Sequence, residues 1–213
     1  MIKRRPELSQ QGVKERKEYA NKLWEKLVST TNYKKMWIVF YPVLEEFDNG
    51  LRCFEYGSDL AAVLTCRVVI EGALYIATAN ENLKSRTIGQ LVIQEYVGSW
   101  NAMKCSRFLM EMTLEGLKKE ALEQKIIDKV VERKINKIQK KGNIAAHYIQ
   151  KFSQHQQRWI PRTAEEIGID KALKKAGAKY YFNTAETIRI LNESATVIAN
   201  IMEGMEKTKL VKQ

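Results

Sequence analysis

Residues 60–77 read Leu60-Ala61-Ala62-Val63-Leu64-Thr65-Cys66-Arg67-Val68-Val69-Ile70-Glu71-Gly72-Ala73-Leu74-Tyr75-Ile76-Ala77, which is apolar nearly all the way round a helix. A helix without a polar face must be surrounded by other elements, so this one belongs at the centre of a helical bundle. Ser58 offers an N-cap, and the pattern predicts a helix from there to about Asn80. Two charges interrupt it. Arg67 and Glu71 stand at i and i+4, on one face and one turn apart. Burying either alone is costly, so they are expected to pair with each other or with other groups. Two roles stay open for them: a buried ion pair that sets helix register, or the lining of a functional polar cavity.

The flanking sequence predicts further helices. On the N-terminal side, Tyr19, Leu23, Trp24 and Leu27 recur at helical spacing within about Val13–Val28, and Ser29-Thr30-Thr31-Asn32 breaks the run. A second helix is predicted over about Tyr33–Phe47, kinked at Pro42 and ended by Asp48-Asn49-Gly50. On the C-terminal side the helical pattern persists over Ile88–Lys141. Its last part, Leu117–Lys141, carries nine Lys or Arg against four acidic residues. Ile127, Val130, Val131, Ile135 and Ile138 form its apolar stripe, so the wet face is strongly positive. Gly142-Asn143 punctuates the chain, with Asn143 a candidate N-cap for a new helix holding His147. Beyond it, Thr163-Ala164-Glu165-Glu166 is a capping-box pattern that resembles a helix-turn-helix opening, although no matching recognition helix follows. A short helix over about Asp170–Ala176 is expected next. The last helix is capped by Asn183 with Glu186 at N3. Its seam of Ile188, Leu191, Ala195, Ile198, Met202 and Met205 either closes the bundle or joins a second copy, and dimerisation is the favoured expectation.

With 213 residues, only 3 Pro and 11 Gly, the chain suits one all-α domain. The expected division is a flexible start over 1–11, packing helices over 12–57, the bundle proper over 58–206 and a flexible tail over 207–213. The basic start is followed by no apolar run, so no secretory signal is expected, and no stretch is expected to span a membrane. Cys53, Cys66 and Cys105 are odd in number and widely spaced, which suggests reduced thiols in the cytoplasm. Two scattered His and these Cys predict no metal site, and no cofactor motif appears. The net charge of +11 points to a polyanion, with nucleic acid first, and no membrane partner is expected.

Nucleotide-binding glycine loops, the G-x-S-x-G elbow and H-E-x-x-H are all missing. Glu45-Glu46 and Glu165-Glu166 are adjacent pairs whose side chains diverge on a helix, so neither makes a ready acid/base couple. The informative stretch is Ile138-Gln139-Lys140-Lys141-Gly142-Asn143-Ile144-Ala145-Ala146-His147. A histidine one turn into a helix, behind an Asn cap and two lysines, would lie near free N–H groups that attract phosphate. An imidazole there suits cleavage of a phosphodiester through the ribose 2′-OH. The competing reading is a histidine packed between helices. His155, in a polar run, reads as exposed.

Gly142-Asn143-x-Ala145-Ala146-His147 resembles the Gly-Asn-x-Ala-Ala-His signature of the DUF4145 branch of the HEPN superfamily. Arg67-Val68-Val69-Ile70-Glu71, leading to Tyr75, resembles that branch's Arg-x-x-x-Glu helix. The resemblance covers about Ser58–Met205. It implies a small, often dimeric helical bundle of prokaryotic defence or toxin–antitoxin systems, and in many members a metal-independent ribonuclease. In that pattern an Arg holds the phosphate and a His does acid/base work in a cleft between protomers. His147 matches the motif His, and Asn143 the polar residue that follows the Arg. Gly142 falls where the Arg would be. Lys140 and Lys141, with six and five residues between them and His147, would supply the cation, though without the bidentate fork of Arg. The resemblance and the charge together imply RNA bound by Arg133, Lys137, Lys140 and Lys141, a homodimer, and a partner such as an antitoxin or a defence complex. The alternative is a non-catalytic helical module that binds a protein or a nucleotide.

Overall fold

The computed structural model describes residues 8–30, 33–85, 112–147 and 183–210. Cys105, His155, the capping box at Thr163 and the short helix near Asp170 lie outside the described residues, as does most of the stretch from Ile88. Within them every regular element is helical: α1 (Gln10–Thr30), α2 (Tyr33–Glu55), α3 (Asp59–Ser85), α4 (Leu114–Glu123), α5 (Lys129–Ala146) and α6 (Thr184–Leu210). The fold is an all-α bundle.

The apolar helix α3 sits at its centre and packs against α2, α4, α5 and α6. Its Ala62, Val63, Cys66, Val69, Ile70, Ala73, Leu74 and Ala77 are all buried. Contrary to the expectation from sequence, Asp59–Ala79 is long and apolar enough to cross a membrane by length and composition alone. A core helix packed on four others needs much of the same composition, although Leu60 and Val68 of α3 are exposed.

α1 buries Ala20, Leu23 and Leu27, with Tyr19 and Trp24 packed on the core edge. α2 does not stop at Asp48-Asn49-Gly50, as the sequence predicts, but continues to Glu55. Phe47, Leu51 and Phe54, all buried, extend its apolar stripe past those residues. Asp48 pairs with Arg52 at 2.8 Å across the supposed break. Gly50 lies against Thr65 of α3, where an added Cβ would stand 3.2 Å from its Cγ2. Close helix packing, not chain reversal, is the use of this glycine. The reversal comes at Gly57, with φ +80°, and the Ser58 carbonyl then accepts the Ala62 N–H.

The basic segment is two helices rather than one. Between α4 and α5, Lys125 takes φ 58°, and the N–H groups of Ile126 and Ile127 both donate to the Ala121 carbonyl. Ile126 and Ile127, both buried, anchor this connection in the core, and the left-handed backbone at Lys125 just before them ends α4. Asp128 restarts the chain as N-cap of α5, accepting from the N–H groups of Val130 and Val131.

Asn183 caps α6 as expected, accepting from the Glu186 N–H at 2.8 Å. The helix runs on to Leu210, past the expected start of the tail at 207. Leu191, Ala195, Ile198, Met202 and Met205 of the seam are buried within this chain, and Ile188 packs beside them. The seam closes the bundle.

Candidate nucleic-acid interface

α5 presents two faces. Val131, Ile135, Ile138, Gly142 and Ala145 are buried against the core. On the far side Lys129, Arg133, Asn136, Lys137 and Lys140 are exposed, Asn143 is half-buried and His147 is exposed. Residues 129, 133, 136, 140, 143 and 147 step by 4, 3, 4, 3, 4, which keeps them in one straight row. At about 1.5 Å per residue the row is roughly 27 Å long.

Acidic neighbours engage some of these cations. Lys129 meets Glu132 at 3.0 Å and Lys137 meets Glu193 of α6 at 3.5 Å. Lys141 lies beside the row and pairs with Glu186, which also takes Arg189 at 3.8 Å. Arg133 and Lys140 have no ion-pair partner among the described residues. Lys118, which the sequence placed on the wet face, is buried, and its ammonium donates to Asn136 Oδ1.

The anion site expected at a helix start around Asn143 is not formed. α5 runs straight through Gly142-Asn143, and His147 is its C-cap, its N–H donating to the Asn143 carbonyl at 3.1 Å. This end carries carbonyls and the negative pole of the helix dipole, so it offers phosphate no free N–H groups. The N–H groups at the other end are taken by Asp128. The physical reason is packing. Gly142 faces the core and has no turn to make.

Gly142 is where α3 crosses α5. A Cβ added there would lie 2.4 Å from the Arg67 Cβ, 2.8 Å from its Cδ and 3.0 Å from its Cγ. The stem of Arg67 therefore fills the space an α5 side chain would need. Arg67 and Glu71 do pair, with 4.0 Å between Nη2 and Oε2, but their side chains are 29% and 38% exposed, so this is not the buried pair expected from sequence. The Arg67 Nε is buried without a hydrogen-bond partner. Gly142 and His147 are five residues apart, about 140° round the helix. Arg67 thus meets α5 on its inner side, away from the row that ends at His147.

Two polar groupings escaped the sequence reading. Arg16 of α1 and Asp59 of α3 form a buried pair at 3.1 Å. Arg16 also donates to the Phe54 carbonyl and the Thr184 hydroxyl, and its guanidinium lies 4.5 Å from the centre of the Phe54 ring. The signal was present: 16, 20, 23 and 27 share one helical spacing, so Arg16 continues an apolar stripe. Lys118 likewise falls on the stripe of Leu114, Leu117 and Ala121. Cys66 is buried, and burial pushes its thiol up to about 12, which makes it inert as a nucleophile. No group of three metal-ligating side chains occurs among the described residues.

Comparison with protein families, with curated proteins and with solved structures finds no match.

Proposed function

We propose that the chain binds RNA along the exposed row of α5, as a HEPN-like protein in which His147 is the acid/base group of a metal-independent phosphodiester cleavage. The observation that carries this reading is the row itself. Lys129, Arg133, Lys140 and His147 share one solvent-facing line, with Lys137 beside it, in a chain of net charge +11. Cations spaced along a rod suit the regular charges of a nucleic-acid backbone. His147 stands open to solvent rather than sealed among apolar side chains, so a bound strand can reach it. Lys140 takes the phosphate-holding role of the absent Arg, since Lys141 is already tied to Glu186. Asn143, one turn before His147 in the row, orients the imidazole or the phosphate. A second copy of the chain completes the cleft in a cytoplasmic defence or toxin–antitoxin system.

A second reading, a non-catalytic binding module, is favoured by one observation. The place of the motif Arg is Gly142, and the Arg67 stem leaves no room for a side chain there. The deciding experiment incubates a mixed-sequence RNA with the chain in EDTA. In the first reading His147→Ala lowers the cleavage rate by about 10²–10⁴-fold while RNA affinity is kept. Binding without cleavage by the wild type selects the second reading. Absence of RNA affinity at low salt ends the RNA reading and leaves a non-catalytic module that binds a protein or a nucleotide. Sedimentation at micromolar concentration checks the dimer, and a clean monomer removes the composite cleft.

A further inference from the structure

Lys118 of α4 has a side chain only 3% exposed. A buried ammonium needs partners, and it has two: the Glu115 carboxylate at 2.6 Å and the side chain of Asn136 on α5. An ammonium has three donors and no acceptor, so the Asn136 atom that meets it is the carbonyl oxygen. That contact fixes the amide. Its Oδ1 is held by Lys118, and its Nδ2 group is left as a donor at an exposed position, midway between Arg133 and Lys140 in the row.

We infer that Asn136 is a phosphate-contacting residue whose amide is held donor-outward by Lys118, and that Lys118 is its positioning residue. The inference rests on the RNA reading above and deepens it. From Lys129 to Lys140 the row then consists of donors alone: ammonium, guanidinium, amide NH₂, ammonium. Phosphate oxygens only accept, whereas base edges mix donors with acceptors. From Lys129 to Ala146 the helix also includes no aromatic side chain on which a base could stack. The ligand is accordingly the phosphate backbone, bound without regard to base sequence.

The test is fluorescence anisotropy of a labelled mixed-sequence single-stranded RNA with the full chain, across a salt series. Wild type should bind, with affinity falling as salt rises. Lys140→Ala should weaken binding and flatten the salt slope by about 0.7. Asn136→Ala should weaken binding about three- to tenfold yet leave the slope unchanged, because a neutral donor displaces no counterion. Asn136→Asp keeps an oxygen for Lys118 but puts a carboxylate in the row, so it should bind more weakly than Asn136→Ala. Lys118→Met removes no exposed charge. By freeing the amide it should weaken binding by no more than Asn136→Ala, again at constant slope. A wild type that binds, with Asn136→Asp or Lys118→Met binding equally well, overturns this inference and leaves the RNA reading standing. A wild type with no affinity at low salt overturns both. Asn136→Asp preserves the contact to Lys118, so it decides the matter even if Lys118→Met fails to fold.

Discussion

Gly142→Ala adds one carbon where α3 and α5 cross. That carbon would sit 2.4 Å from the Arg67 Cβ, whereas carbons in contact normally stay ~3.5–4.0 Å apart. The Arg67 Cγ and Cδ can swing aside, but its Cβ is bonded to the α3 backbone and cannot. The two helices must therefore separate by roughly 1 Å to restore contact distance. Overpacking of this kind costs about 1–3 kcal/mol. Replacing Gly by Ala inside a helix returns up to about 1 kcal/mol. With the full amount returned, the net loss reaches roughly 2 kcal/mol at the upper end, or about 4–8 °C in Tm for a chain of this length. Gly142→Arg should cost more, because its longer side chain is aimed at the same stem, so it should unfold the bundle earlier rather than install a phosphate ligand. Thermal and urea unfolding of both variants provide the measurement. The attribution to Arg67 is checked by a double-mutant cycle: in an Arg67→Gly background, Gly142→Ala should lose most of its cost. A higher Tm for Gly142→Ala, as helix propensity alone predicts, refutes this account of the crossing, and so does an unchanged cost in that background.

Gly204→Ala should be more damaging than Gly142→Ala, because its Cβ would fall 1.9 Å from the Ile126 carbonyl oxygen, a backbone atom; a Tm loss no larger than that of Gly142→Ala contradicts this ranking. Asp59→Ala strands the guanidinium of Arg16 in a pair whose side chains are 10% and 8% exposed, and it should cost about 3–5 kcal/mol in urea unfolding; a loss below about 1 kcal/mol shows that Phe54 and Thr184 hold Arg16 without it. Cys66 yields a pH prediction. Its folded thiol lies at about 12 against an ordinary 9.0, so above pH 9 the unfolded chain releases a proton that the folded chain keeps. Stability should be insensitive to this group below pH 9 and should fall as pH rises from 9 towards 12. Cys66→Ala should fall less over that window, and parallel curves for the two proteins contradict the assignment.

Helical class and the central place of α3 were legible in the sequence because both follow from local pattern: breakers are few, and residues 60–77 leave no face for water. The Asn183 cap and the α6 seam were legible for the same reason, since capping chemistry and heptad spacing are written in neighbouring residues. The exposed cations of α5 also followed from spacing alone. What failed was punctuation by glycine. Gly50 and Gly142 read as helix ends, and both lie inside helices, because the chain uses the missing side chain for close approach to Thr65 and Arg67. A sequence does not distinguish a glycine that turns from a glycine that packs; only the neighbouring helix does. The error at Gly142 reversed the polarity assigned to the site, turning an expected N-terminal anion pocket into a helix C-terminus with His147 as its cap. Tertiary structure alone supplied the partner that lets a lysine stay buried. Lys118 and Lys140 are both lysines on amphipathic helices, but Lys118 falls on the apolar stripe of its helix and Lys140 on the wet face, and only the neighbouring helix α5 brings Asn136 to the buried ammonium.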